Sequence, residues 1–562
     1  MNATKLRSTI EGLGLSLAMM VTRGRHLRPM LAAATQPAAT QERLLREIVR
    51  RNAETEFGIR HGFGKIRGLA DWRAAVPVQS YEDVRPWIDR QAETGGRVLT
   101  DDPPVMFNLT SGTTSLPKLI PVTASGLDRY RGQQRAFAGA LHRHDRRLFS
   151  GRIAGIGGNA VEGRHRNGLP YGSAAGVIYR EMPAAVRARY VVPAAAFAIA
   201  DYDLRYRAIA TCLLAADDVT IATTANPSTF LRLLDVANGQ LDVILADIAA
   251  GRLSVDVGLG TDARAEVEAG LVPAPARAAA LARIAAAKGN LDYVDIWPRL
   301  HGIATWTGGS CAIALSALRP RLGPDVAVYE FGYLASEFRG TCNVEPQNNL
   351  CLPTLRDTLF EFADPAAWEA GDHSTVGLEA LEAGRQYRVI ATTPDGLYRY
   401  DINDIVEVVG FISGTPALAF VRKGRGVTSI TGEKLSEEQF IAAVARACTD
   451  AGIRPVFHLG LADEIAGRYH VYLEPDEASR PDTKELAANV DRELIARNLE
   501  YAAKRASGRL GNPSLVMLRT GCAEAYRRHK VAAGQRDAQY KVVPLHYVRE
   551  MTFDLAPWQI AT

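Results

Sequence analysis

Residues 108–123 read N-L-T-S-G-T-T-S-L-P-K-L-I-P-V-T and follow the apolar residues Val105, Met106 and Phe107. An apolar strand that empties into Thr110, Ser111, Gly112, Thr113, Thr114 and Ser115 has the makings of an anion cradle. Turn N–H groups and hydroxyls donate to phosphate oxygens, Lys118 adds a point charge, and Gly112 lets the backbone come close. The better-known phosphate loop needs Lys followed by Ser or Thr at the mouth of a helix. Here Lys118 stands between Pro117 and Leu119, with Pro121 beyond, so no regular helix crosses the segment. The loop must grip as an irregular flap. By composition alone such a stretch is more often a plain surface turn.

Two later stretches repeat the pattern. Ile303, Ala304, Thr305 and Trp306 run into Thr307, Gly308, Gly309 and Ser310; Val326, Ala327, Val328, Tyr329 and Glu330 run into F-G-Y-L-A-S-E, residues 331–337. Strands that end in glycine-bearing polar turns are how α/β sheets present ligands at their carboxyl edges. Three such turns in one chain shift the balance from surface loop to site. A fragment G-I-G-G-N-A at 155–160 lacks the last glycine of a dinucleotide fingerprint, and the glycine-rich run 155–179 reads instead as a loop lining a pocket.

The whole chain sets the limits. Its 562 residues amount to three or four domains' worth, which large α/β enzymes merge into one big and one small unit. Apolar residues make up 47% and charged ones 23%, enough for a sizeable core in a globular protein. A net charge of +4 is small for this length, and no nucleic-acid-binding motif accompanies it. The six cysteines (Cys212, Cys311, Cys342, Cys351, Cys448, Cys522) form no C-x-x-C pair and adjoin no His cluster, so reduced, buried thiols in a cytoplasmic protein are expected. The apolar run 12–21 is too short to span a membrane and lacks a cleavage site, so it reads as the buried face of a first helix.

Helical spacing of Leu44, Leu45, Ile48 and Val49 predicts an amphipathic helix over 41–55, and Ser80 a capped helix start. Residues 204–289 read as helical with a short strand at 219–223, and 397–408 alternate as a half-buried strand does. The segment F-V-R-K-G-R-G-V-T-S-I-T-G-E-K (420–434) suits a hinge, with the domain boundary at Arg422 and Lys423. The expected domains are therefore 1–422 and 423–562. Helices near 436–448 and 484–506, with strands at 456–459, 469–473 and 515–518, would make the second a small α/β unit.

Residues 110–118 resemble the phosphate-binding signature of adenylate-forming enzymes. The words T-E-F-G, V-P-V-Q-S-Y-E-D, G-V-I-Y-R-E-M-P, N-P-S-T-F-L, G-E-K-L-S-E and Q-Y-K, in this order from about 41 to 545, make the chain similar to the Gretchen Hagen three family of acyl acid amido synthetases. That family is known from auxin-responsive plant genes, and this chain resembles a bacterial member. The resemblance implies an α/β fold: a large N-terminal ATP- and acyl-binding domain of β-sheets flanked by helices, with a small β-barrel, and a smaller mobile C-terminal α/β domain.

It also implies a ligase that uses ATP and Mg²⁺ to turn a carboxylic acid into an acyl adenylate, releasing pyrophosphate, and then passes the acyl group to an amine. That amine is typically an amino acid's. Ser111, Thr113, Thr114 and Lys118 would hold the β- and γ-phosphates. Residues 333–337 fall on the family's Y-A-S-S-E word, with Leu334 at its second position. Tyr333 would lie along the adenine, Ser336 donate to the α-phosphate, and Glu337 hold Mg²⁺, a hard cation suited to oxygen ligands. Gly308 and Gly309 would meet the adenine edge and Asp404 the ribose hydroxyls. Lys541 matches the mobile lysine that bridges the attacking carboxylate and the α-phosphate. Tyr171, Val177, Tyr179, Thr223 and Asn226 would border the acyl pocket, where Arg180 is a candidate partner for a second substrate charge.

One word departs from the family. In place of Y-R-V-G-D the chain has Y-D-I-N-D, with Asp401 for arginine and Asn403 for glycine, and Arg399 as a possible replacement cation. This departure keeps open a nucleotide-binding homologue without catalysis. A thioester-forming acyl-CoA ligase is the alternative within the same chemistry. The implied partners are small-molecule acid and amine substrates, with no nucleic acid and no integral membrane segment; the sequence does not fix the oligomeric state.

Overall fold

A computed structural model describes residues 14, 17–110, 118–308, 311–424, 426–475, 482–532 and 544–560. The chain divides into two compact units, the first made of residues up to 422 other than 110–118 and the second built on 423–562. The strands used below are β1 (Pro104–Thr110), β2 (Lys118–Thr123), β3 (Arg152–Gly155), β4 (Pro170–Gly172), β5 (Val219–Thr223), β6 (Gly302–Thr305), β7 (Ala327–Glu330), β8 (Leu359–Ala363), β9 (Gln386–Thr392), β10 (Tyr400–Ile412) and β11 (Thr415–Lys423). The helices are α1 (Pro37–Arg51), α2 (Tyr81–Thr94), α3 (Ala124–His144) and α4 (Ala174–Arg180).

In the first unit β3, β5, β6 and β7 form an all-parallel sheet in that order. Such a sheet needs cover on both faces. The alanine-rich helical stretch supplies much of it, through a core that includes Phe197, Leu213, Phe230, Leu281 and Trp297. A second sheet pairs β1 with β4 in parallel and with β2 on its other side. A third runs β8-β9-β10-β11, antiparallel from β8 to β10; this is the part that the resemblance assigns to a small barrel. Its aromatic core gathers Phe57, Phe63, Trp72, Phe362 and Tyr398.

Local signals act as their chemistry requires. Ser80 caps α2 through a full capping box with Asp83. Leu44, Leu45, Ile48 and Val49 are the buried stripe of α1. The expected first helix differs: its described part, 17–22, is helical, but Leu17, Met20 and Val21 are exposed and only Met19 packs on a core. The described part of the apolar run is therefore not a buried face.

The second unit is a mixed sheet of Pro455–Asp463, Arg468–Pro475, Ser514–Met517 and Leu545–Tyr547, backed by Glu437–Asp450 and Thr483–Arg497. The single helix expected over 484–506 is two, broken at Asn498, whose side chain caps the second by accepting from Tyr501 N–H.

Candidate functional site

The carboxyl ends of β6 and β7 set the site. Both strands are short, parallel and adjacent, so the turns that follow them leave the same edge of the sheet. Glu330, the last residue of β7, ties the turns together. Its carboxylate accepts from the N–H and hydroxyl of Thr307 and, at 2.9 Å, from the N–H of Gly332. Trp306 Nε1 donates to the Gly332 carbonyl at 2.9 Å. Gly308 lies in the first turn, where a Cβ would stand 3.0 Å from the Phe420 carbonyl oxygen, a tight contact that glycine avoids. Gly309 lies outside the described residues.

The second turn carries Tyr333, Ser336 and Glu337. Tyr333 is 6% exposed, with its ring stacked on Phe420 at 5.8 Å and edge-on to Phe338. Its hydroxyl donates to Asp404 Oδ2 at 2.6 Å. Burial, and then the Asp404 charge, push the phenol well above its ordinary value, so the proton stays on tyrosine. Ser336 offers its carbonyl to Asn108 Nδ2 at 2.8 Å, while Asn108 Oδ1 accepts from Ala174 N–H, also at 2.8 Å. One buried amide at the end of β1 thus fixes the Ser336 turn and the start of α4. Glu337 is buried beside it in the chain.

Asp404 is aimed by a β-bulge. Arg388 pairs with Ile405 and Ile390 with Asp401, so Ile402, Asn403 and Asp404 all oppose Val389. Bulges re-aim side chains in this way, often beside active sites. Asn403 has φ +57, a left-handed conformation that glycine takes freely and that asparagine tolerates best among the rest. Asp401 accepts from Asn403 N–H at 2.9 Å and forms a two-pronged pair with Arg388, Nε at 2.9 Å and Nη2 at 2.7 Å. Two of the three departures from Y-R-V-G-D change chemistry and both are accommodated: asparagine for glycine by backbone tolerance, aspartate for arginine by a cation on the neighbouring strand. Arg399 is not the replacement. It is buried, with its guanidinium on Glu361 and the Val76 carbonyl.

The other expected positions divide. Lys118 opens β2, and Arg422 and Lys423 close β11. Thr110 ends β1, while Ser111, Gly112, Thr113, Thr114 and Lys541 lie outside the described residues. Val177 is buried in a cluster with Met106, Val122 and Leu127, against which Tyr130 of α3 packs. Tyr171 lies in β4, packed against the cluster that holds Tyr333. Tyr179 turns the other way: it stacks edge-on to Tyr190 and Phe197 and donates to the Val192 carbonyl at 2.6 Å, so it is a core residue and not a pocket wall. Thr223 ends β5, and Asn226 accepts from Ser228 N–H at 2.9 Å at the start of the following helix. Arg180 is exposed and has no ion pair among the described residues. Sequence reasoning missed Glu330, Tyr130 and the part played by Asn108; the last stood in the opening stretch, but nothing in its spacing marked it.

Among the described residues no three His, Cys, Asp or Glu side chains converge as a metal cage. The donor set around the turn, one carboxylate at Glu337, fits Mg²⁺ held mainly by phosphate oxygens. No described helix is long and apolar enough to cross a membrane.

The fold is that of the adenylate-forming enzymes. It matches the GH3.15 acyl acid amido synthetase in complex with 2,4-DB with a TM-score of 0.65 at 22% identity, over 95% of this chain and 96% of that one. It matches a 2-hydroxyisobutyryl-CoA ligase at 0.52 and 14% identity, over 93% and 92%. Residues 26–327, 351–423 and 438–549 match the N-terminal, central and C-terminal domains of the GH3 family. The chain belongs to the GH3 family. An indole-3-acetic acid-amido synthetase, GH3.8, of Oryza sativa subsp. indica is 27% identical over 90% of this chain and 88% of its own. The jasmonoyl–L-amino acid synthetase JAR4 of Nicotiana attenuata is 23% identical over 89% and 90%, and the 4-substituted benzoates-glutamate ligase GH3.12 of Arabidopsis thaliana 24% over 89% and 91%.

Proposed function

We propose that this protein is an acyl acid amido synthetase: an ATP-dependent ligase that activates a carboxylic acid as its acyl adenylate and transfers the acyl group to the amine of an amino acid. The observation that carries the reading is the joining of three segments at one sheet edge. The Gly308 turn and the Tyr333–Glu337 turn share Glu330, and Tyr333 binds the Asp404 of the bulge.

A carboxylate is a weak electrophile, so the site must hold it in line with the α-phosphate and neutralise charge that gathers on the phosphate oxygens. Ser336 is assigned as the donor to the α-phosphate, Asp404 as the acceptor of both ribose hydroxyls, and Gly308 with Gly309 as the turn at the adenine edge. Thr110, Ser111, Gly112, Thr113, Thr114 and Lys118 are assigned to the outer phosphates, and Lys541 to the attacking carboxylate. Tyr333 is assigned along the adenine, with its hydroxyl also orienting Asp404. When bound with ATP, Mg²⁺ would supply charge neutralisation, with Glu337 as its protein ligand. The acyl pocket is assigned to Tyr171, Val177, Thr223 and Asn226. The large domain, 1–422, is taken to bind ATP and acid, and 423–562 to be mobile about Arg422 and Lys423.

An amino acid acceptor is supported by the names of the jasmonoyl–L-amino acid and benzoates-glutamate relatives. A cytoplasmic location is supported by six free, buried cysteines. A bacterial source is part of the same proposal and rests on the sequence resemblance alone.

The test is acid-dependent exchange of pyrophosphate into ATP, with hydroxylamine trapping the adenylate across an acid library, followed by AMP release with amino acids or coenzyme A. Exchange and amino-acid-dependent AMP release are expected. AMP release with coenzyme A alone would transfer the chain to the thioester-forming class, and absence of exchange with every acid would remove the ligase reading.

A further inference from the structure

Away from the turns assigned to ATP, the first unit holds a cavity of about 140 Å³ between the helical segment 23–33, α3 and the turn 354–357 that precedes β8. Its polar lining includes Arg25, His26, Arg129, Gln133, Arg356 and Asp357. A space of this size takes a small organic molecule rather than a single water.

Both signs of charge are left unanswered in it. Arg25 and Arg356 are exposed at the rim and form no ion pair among the described residues, whereas Arg129 is spent on Asp395 at 2.8 Å. Burial, and then Arg135, Arg25 and Arg356, lower the basicity of His26, so the histidine adds no charge of its own. Gln133 is only 4% exposed and donates from Nε2 to Asp357 Oδ2 at 2.7 Å. A carboxylate can only accept, so it fixes the amide with its NH2 group toward Asp357. The other end, Oε1, is buried and has no hydrogen-bond partner, and a buried acceptor left unmet asks for a donor. Burial pushes the Asp357 carboxyl up against the pull of Gln133, Arg129 and Arg356, so these groups do not fully answer it.

A plain anion would satisfy the arginines but meet the Asp357 carboxylate and the Gln133 carbonyl. A plain cation would meet the arginines. A small zwitterion suits both ends: an ammonium donates to Gln133 Oε1 and Asp357, and a carboxylate accepts from Arg25 and Arg356. An α-amino acid is the simplest such molecule. Its side chain has a further space, because a second cavity of about 450 Å³ shares Ala33 and Arg356 with the first and is lined by Gln36, Arg43 and Glu47. The walls lead to the nucleotide turns. Thr354 donates through its hydroxyl to the Arg339 carbonyl at 2.7 Å and through its N–H to that of Gly340, whose own N–H donates to the Tyr333 carbonyl. On the other side, the Asp395 carboxylate that holds Arg129 also accepts from the Thr123 hydroxyl at 2.6 Å, at the end of β2.

We propose that this cavity is an α-amino-acid site apart from the reacting site, selective for polar side chains, whose occupancy is felt at the nucleotide turns. The coupling rests on the amido synthetase reading; the binding does not.

Calorimetric titration of the full chain with each standard amino acid, without ATP or carboxylic acid substrate, is the first measurement. At least one with a polar side chain is expected to bind. Its methyl ester, which lacks the carboxylate, and the matching α-hydroxy acid, which lacks the ammonium, should each bind roughly 10- to 100-fold more weakly. The double variant Arg25→Met/Arg356→Met changes two exposed positions and is expected to weaken binding by a similar factor. Gln133→Leu should do the same; if it does not fold, the rim variant decides. ATP affinity, titrated without the acid substrate, should shift about 5-fold or more at saturating amino acid, and the shift should vanish in the double variant. Binding of no amino acid overturns the proposal, as does equal binding of the ester or the hydroxy acid. Wild-type affinity in the double variant places the amino acid elsewhere, the acceptor's own position included, and overturns it too. Displacement by inorganic phosphate at equal affinity would make this a plain anion site instead. An unshifted ATP affinity overturns the coupling, while failure to bind ATP at all removes the amido synthetase reading and leaves the amino acid site standing.

Discussion

At the scale of single residues, the departure of Y-D-I-N-D from the family word has physical content. Asn403 sits at φ +57. Asn403→Gly should be nearly neutral, whereas Asn403→Ala should cost about 1 kcal/mol in urea unfolding, because alanine lacks the short polar side chain that lets asparagine tolerate the left-handed region. Asp401 and Arg388 form a pair with side chains 17% and 10% exposed. Removing one partner strands the other. Arg388→Met is expected to cost about 2–4 kcal/mol, somewhat below the fully buried case because both groups touch solvent. It should also raise the KM for ATP more than that for the acid, since the Asp401 carboxylate holds the N–H next to Asp404; an unchanged KM for ATP would detach the pair from the nucleotide. The aspartate and asparagine were visible in the sequence, but their meaning was not. Arg388 lies on another strand, and only the ladder brings it opposite.

Among the elements, the strand-to-turn pattern was the most legible feature. Ile303 to Glu337 reads as two apolar strands and two glycine turns, and these are β6 and β7 with their loops. The connections between elements were illegible because they are made by single polar side chains far apart in the chain. Gln79 is one: its N–H donates to the Arg399 carbonyl, its carbonyl accepts from Asp401 N–H, and its amide donates to the Tyr398 carbonyl. Two residues on, the Tyr81 hydroxyl accepts from Leu119 N–H at 2.7 Å. The word V-P-V-Q-S-Y-E-D therefore lashes β2 to β10. Asn108 does the same for β1, the Ser336 turn and α4. Asn108→Ala leaves the Ala174 N–H without its acceptor and frees the Ser336 carbonyl. We expect a loss of about 1–3 kcal/mol in stability and at least a ~10-fold fall in kcat/KM for pyrophosphate exchange, read with thermal unfolding in parallel. Stability lost without activity would make Asn108 a strut only.

For the whole molecule, pH is a usable probe of the second unit. His458 lies against Phe440 at 5.9 Å, and burial lowers its basicity from the ordinary value of 6.5. The unfolded chain therefore takes up a proton near that pH that the folded chain refuses. His458 leaves stability intact above about 6.5 and withdraws it as pH falls below, by up to ~1.4 kcal/mol per pH unit. His458→Gln should flatten this part of the profile in urea unfolding followed between pH 7 and 5, while an unchanged slope would assign it to other groups. The stretch 420–434 around Arg422 is rich in cations and glycine. The all-parallel order of β3, β5, β6 and β7 has a consequence for synthesis. No neighbour in that sheet can close as a hairpin, and Ile221 must wait for Gly302 and Gly302 for Ala327. The bulge that aims Asp404 comes later still. At roughly 5–20 residues per second, a ribosome holds the unfinished sheet for tens of seconds with unpaired apolar strand edges in water. Yield of active enzyme will depend on how well the cell shields that interval, and slower, cooler expression will favour the native chain over aggregate.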